Sequence, residues 1–181
     1  MAIRPREVID FWMAAGPGVW FARSDDFDAE IRRQFGALHR EVTDGGYSAW
    51  REFADGALAL ILILDQFSRN LFRDHPNAFR ADAMALGLAR HAVARGFDLE
   101  LVEAERRWLY MPFMHAEDLA AQKEGLGYFS QRLNDPETLR FAEEHYDIIR
   151  RFGRFPHRNP VLGREMSPQE QSYLDAGGFR G

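Results

Sequence analysis

Asp65, Gln66, Arg69, Asn70 and Arg73 follow directly on the most apolar run of the chain. Continued as a helix, this stretch puts Asp65 and Arg69, then Arg69 and Arg73, one turn apart at i, i+4 spacing. One face then carries a carboxylate and two guanidiniums. Such a set either holds a charged ligand or closes a core helix with an ion pair. A second set lies at His115, Asp118 and Gln122, spaced three and four apart. On a helix resumed after Pro112 they share a face and Glu117 points elsewhere. A histidine beside a carboxylate is a metal pair, a general base with its orienter, or a structural hydrogen bond. The spacing is not that of a known zinc motif such as H-E-x-x-H, so no metal is expected.

The third set is the most concentrated. Arg150, Arg151, Arg154, Arg158 and Arg164 fall within fifteen residues, with His157 and Asn159 among them, and no acid lies between Asp147 and Glu165. Phe152, Phe155 and Pro156 are interleaved, which pins the stretch to the body of the protein. Guanidinium forks suit carboxylate and phosphate. The alternative is that these arginines pair with acids from other helices. Buried charges must be paired or they cost several kcal/mol each, so Arg154 or Arg158 is expected against Asp65, Glu117 or Asp118.

Together these residues describe a pocket for a small anionic molecule. Trp108, Tyr110, Phe113 and Phe155 would wall it. Asp65, Arg69, Asn70, His115, Asp118, Arg154, His157, Arg158 and Asn159 would supply its polar groups, with His115 or His157 as acid or base and an arginine as charge stabiliser. Met111 and Met114 read either as pocket lining or as core filler. The alternative function is a protein-interaction module with a peptide partner on a concave helical face, the polar segments being structural. No cofactor motif is present: no phosphate-cradling glycine loop, and no G-x-S-x-G.

The elements that must position these groups read as helices. Pro5 suits a first helical position, and Val8, Ile9, Trp12 and Met13 form one face. A second helix starts near Ser24 and carries Phe27, Ile31, Phe35, Leu38 and Val42 on its inner stripe. Residues 50–67 hold ALALILIL. They read as a buried central helix, because the run is rich in Ala and Leu and has no strand to pair with. Residues 77–95 carry alanine at three- and four-residue spacing and stop at Gly96. Residues 103–133 read as helical with a break or kink at Pro112. Asp135-Pro136 opens another, to about Phe152. Ser167 with Glu170 is a capping box for a short last one. The expectation is an all-α fold of about seven helices in antiparallel pairs, one domain over 1–181.

Composition sets outer bounds. With 46% apolar and 28% charged residues the chain is globular in type. There is no cysteine, hence no disulfide or thiolate metal site. The longest apolar run, 57–64, is far short of the ~20 residues of a membrane span, and the N-terminus does not read as a signal peptide. A cytoplasmic protein without membrane partners is expected. The net charge of -5 argues against nucleic acid as a partner.

LDQFSRNLFR (64–73), RWLYMPFMHAEDLAAQ (107–122) and RRFGRFPHRNPVLGRE (150–165) are the distinctive stretches. Together they resemble a bacterial family of unknown function built as a tetratricopeptide-like helical array. The likeness runs from Val8-Ile9-Asp10-Phe11-Trp12 to the last short helix. Ser68 departs from it, standing where the family pattern has proline. The resemblance implies the helical array and no activity. The 34-residue repeat pattern itself is not visible.

Overall fold

Most helix starts follow from the local chemistry just described. Pro5 is the first residue of α1, Pro5–Ala15, and Glu7 reaches back to the Arg4 N–H. Ser24 caps α3, Asp25–Thr43, by accepting from the Phe27 N–H. Asp135 caps α10, Pro136–Phe152, and Ser167 with Glu170 forms the capping box of α11, Pro168–Asp175. Between α1 and α3 lies the single turn α2, Pro17–Trp20.

The computed structural model describes residues 3–180, which cluster into two compact units. The first holds residues 3–73 and 77–112, the second residues 74–76 and 113–180. Among the described residues there is no strand.

The first unit is built on the apolar run. Helix α4, Ala54–Ile61, is buried along almost its whole length, with Ala57, Leu58, Ala59 and Ile61 fully so. Such burial stabilises by ~1.5–3 kcal/mol for each leucine or isoleucine. Its continuation, Leu62–Phe67, is π-helical and leads into α5, Ser68–Leu71. Gly56 lets the chain fold tightly here, since a Cβ would lie 2.1 Å from the Trp50 carbonyl oxygen. α1 and α6, Asp82–Ala94, pack on α4, and α6 uses Ala85, Ala89 and Ala92 to come close. α7, Phe97–Glu100, follows Gly96.

α8, Glu103–His115, contains the division between the units, at Pro112. In the second unit α9, Leu119–Arg132, packs on α10 across a turn short enough to make them antiparallel. Gly125 meets Phe113, where a Cβ would come within 2.5 Å of the phenylalanine Cβ.

Three expectations need correction. The helical segments outnumber seven, because single turns such as α2, α5 and α7 punctuate the loops. The helix expected from residue 77 begins at Asp82, after a 3-10 turn at Pro76–Phe79. The break expected at Pro112 falls at residues 116–118. There Gln122 donates to the carbonyls of Met114 (2.6 Å) and Ala116 (2.9 Å), satisfying the end of α8. Asp118 caps α9 by accepting from the Ala121 N–H at 2.6 Å. The helix passes through Pro112 and stops where side chains take over its terminal carbonyls.

Candidate functional site

The Asp65–Asn70 stretch lies in the first unit. Asp65 is wholly buried and accepts from Gln66 Nε2 at 2.6 Å. Arg69 sits 3.2 Å from the Asp65 carboxylate and forks onto Asp82 with two bonds of 3.1 Å. Asn70 Nδ2 donates to Asp28 at 2.8 Å, and Arg73 binds the same carboxylate through Nε and Nη2. Asp28 is 6% exposed and anchors two partners. Ser68 is also buried, its hydroxyl 2.8 Å from His39 Nε2. Trp108 and Tyr110, expected as pocket walls, belong to this unit too. Trp108 packs in the aromatic core with Trp12 and Trp20, and Tyr110 donates to Asp98 at 2.5 Å.

The other two stretches meet in the second unit, through Glu117, one of the expected acceptors, and Arg164 in place of Arg154 or Arg158. Glu117 accepts two bonds from Arg164, at 2.6 and 2.9 Å, and one from the Phe155 N–H at 2.7 Å. Burial pushes the Glu117 carboxyl up, but Arg164 and the Phe155 amide outweigh it and hold it below the usual carboxylate range. Asn159, fully buried, accepts from Arg164 Nε at 2.8 Å and so fixes the same guanidinium. Arg154 takes Glu170 in a bidentate pair of 2.6 and 2.9 Å. Arg154 and Asp118 thus serve as a structural pair and a cap. Glu117, which the continuous-helix reading turned away, makes the junction.

Beside this junction the chain gathers its imidazoles. The His145 ring lies 6.5 Å from that of His115, 5.4 Å from Phe155 and 4.5 Å from Phe179. His157 is 5.7 Å from Phe155 and 5.2 Å from Phe179. The Arg158 guanidinium lies over the Phe155 ring at 4.5 Å. His145 and Arg158 are each 6% exposed, whereas His115 and His157 are half-buried. Burial, then the neighbouring His115, lower the His145 pKa to about 3; its bond to Phe141 opposes them, and Arg158 and His157 add smaller downward contributions. His145 is therefore neutral near pH 7.

His145 was not picked out in the sequence. It lies thirty residues from His115 on α10, in EEHYDII. Its signal was periodicity: it shares the buried stripe of α10 with Ala142, Ile148 and Ile149. A histidine on such a stripe must be held neutral or paired. Among the described residues no group of three or more His, Asp or Glu is arranged to hold a metal ion. No helix among them is long and apolar enough to cross a membrane.

An all-helical chain with a basic, aromatic-backed cluster defines an architecture and no activity. Residues 8–178 match the family described as "Bacterial protein of unknown function (DUF924)". The chain belongs to this family. It is also similar to the solved structure of a protein of unknown function from Agrobacterium tumefaciens. That likeness has 40% identity and a TM-score of 0.91, over 96% of this chain and 97% of the other. No curated protein matches the chain.

Proposed function

We propose that the second unit binds a small anionic molecule at His115, His145, His157 and Arg158. The observation that carries this reading is the gathering of three imidazoles and a guanidinium around Phe155 and Phe179. Imidazole N–H groups and a guanidinium are the donors from which an anion accepts most readily. Phe155 and Phe179 shield the cluster and strengthen its field. The half-buried His115 and His157 are the members a ligand meets first. Asp65, Arg69 and Asn70 are left out, since their partners lie in the first unit. Asp118 and Arg154 are left out as cap and ion pair.

The test is a titration with inorganic phosphate, followed through the histidine side-chain NMR signals and by calorimetry. Saturable shifts of His115, His145 and His157 are expected. Arg158→Met should weaken binding roughly tenfold or more, the worth of a charge-assisted bond. Unmoved histidine signals at tens of millimolar phosphate, on the order of the weakest useful affinity, would sink the proposal.

A second reading is a tetratricopeptide-like interaction module with structural polar segments. The pairs Arg154–Glu170 and Arg164–Glu117 favour it, since each charge already has its opposite. So does an open groove of about 500 Å³ lined by Arg151, Phe152, Arg154, Ser167, Gln169 and Glu170. Under this reading phosphate leaves the histidines unmoved, and Arg158→Met changes no binding.

A further inference from the structure

We infer that residues 176–180, which follow α11, form an acid-released strap: when His145 takes up a proton, Phe179 lifts off its ring and admits water, while α11 stays docked. This device does not depend on the anion reading.

The strap is hydrogen-bonded to one side only. After α11 the chain turns back at Gly177, whose φ of +85° suits a residue without a side chain. The Gly178 N–H donates to the Tyr173 carbonyl at 3.0 Å and the Phe179 N–H to the Tyr173 hydroxyl at 2.9 Å. The Arg180 guanidinium donates to the Leu174 carbonyl at 2.6 Å. All these acceptors belong to α11. Toward α10 and the 3-10 turn Pro156–Arg158 the strap offers the Phe179 ring, edge-to-face on His145 at 4.5 Å and on His157 at 5.2 Å. Helix α11 has anchors of its own. Arg154 forks onto Glu170, and Tyr173 packs on Phe152 at 5.2 Å. The strap can leave without the helix, as terminal segments held by few contacts do.

The ring beneath it needs water once charged. His145 Nδ1 lies 2.7 Å from the Phe141 carbonyl oxygen, which can only accept, so the neutral ring carries its proton there. A second proton goes to Nε2, and the resulting cation requires an acceptor or water. The rings packed on it, Phe155 and Phe179, are neither. The charged and titratable groups that bear on it are basic: His115 at the end of α8, and His157 and Arg158 in the 3-10 turn. Glu117, the acid at the junction, is taken by Arg164 and the Phe155 N–H. With the strap down, burial and then His115 hold the His145 pKa at about 3, against ~6.5 for an imidazole in water. A strap-open state that hydrates the ring binds the proton first, so falling pH drives opening. Hydrogen bonds from Arg154 hold the Glu170 carboxyl well below the usual carboxylate range, so the anchor of α11 stays charged meanwhile.

The experiment is an NMR titration of the ¹⁵N-labelled full chain from pH 7 to about pH 4, reading the His145 ring nitrogens and the Phe179 amide together. The Phe179 amide should move to a random-coil position in step with protonation of His145, at a midpoint above about pH 4, between the docked and free values. The amides of α10 and α11 should hold their places. In Phe179→Ala, which removes the covering ring, the His145 midpoint should rise by about one unit or more. In His145→Phe the Phe179 amide should stay where it is, whereas His157→Phe should keep the transition. A Phe179 amide that does not move, a His145 that takes its proton with the strap still docked, or α10 unfolding in the same step overturns the inference. So does a transition abolished by His157→Phe and kept by His145→Phe. The wild-type titration and Phe179→Ala decide the matter even if His145→Phe fails to fold.

Discussion

Around Ser68 the first unit sets opposite charges against each other: Arg69 between Asp65 and Asp82, and Arg73 on Asp28. The second unit does the same with Glu117 and Arg164, but beside Phe155 it gathers imidazoles and the Arg158 guanidinium. The two patterns have different costs. Paired buried charges are close to neutral for stability and become expensive only when one partner is removed. A buried imidazole such as His145 costs stability only where it must take up a proton. The difference teaches that charge density in a sequence does not show which charges are paired; the neighbours of each do.

Cutting one side of a pair should give the largest effect. Asp65→Ala removes one of the two carboxylates that hold Arg69 and the acceptor of Gln66 Nε2, and should cost about 3 kcal/mol in urea denaturation. Phosphate binding to the folded fraction should not change. A loss below about 1 kcal/mol would mean that the first unit does not depend on its pairs in the way described.

Next comes Glu117→Gln, at about 2–3 kcal/mol, because Arg164 loses its charged partner and the Phe155 amide a strong acceptor. If the junction only positions the cluster, phosphate affinity should fall by no more than a few-fold once the protein is folded. A complete loss of affinity in a folded variant would place Glu117 in the binding site itself.

A smaller effect tests the histidine side directly. In the unfolded chain His145 titrates near ~6.5, and in the folded one at about 3. Between those values the unfolded state holds the extra proton, so stability falls as pH falls, by ~1.4 kcal/mol per unit. From pH 7 to pH 5 the loss attributable to His145 is ~2 kcal/mol. His145→Phe should flatten the stability profile across that window by that amount. Parallel profiles for variant and wild type would show that His145 carries its proton in the fold.

Asp118→Ala should matter least. As a helix cap it contributes ~1 kcal/mol, read from the thermal midpoint, and its loss should leave phosphate binding unchanged. A drop in affinity without a drop in stability would restore Asp118 to the ligand set.

Much of the frame was legible because capping and apolar periodicity act locally. Ser24, Asp135 and Ser167 announce their helices within a few residues, and residues 57–64 allow little except a central helix. The π-helical stretch at Leu62–Phe67 was not legible, since nothing in LILDQF distinguishes it from an α-helix. In the site, His115, His157 and Arg158 were visible as charges beside aromatic residues. Glu117 and Asp118 exchanged roles because the helix break depends on Gln122 reaching back to two carbonyls, a side-chain event that spacing does not encode. His145 was hidden because its partners come from segments far along the chain.

Gly56 and Gly125, two of the glycines that admit close packing, also partition the chain for anyone building a variant library. No side chain fits at either position, because a Cβ would strike the Trp50 backbone in one case and the Phe113 side-chain root in the other. Codons for these positions are best left fixed. Gly87 in α6 and Gly127 in α9 are the reverse: a Cβ there meets nothing within 4 Å. Alanine at both would trim the disorder of the unfolded chain at ~0.5–1 kcal/mol each. That gives an engineer a reserve of stability from which to probe the histidine cluster with substitutions the parent chain would not survive.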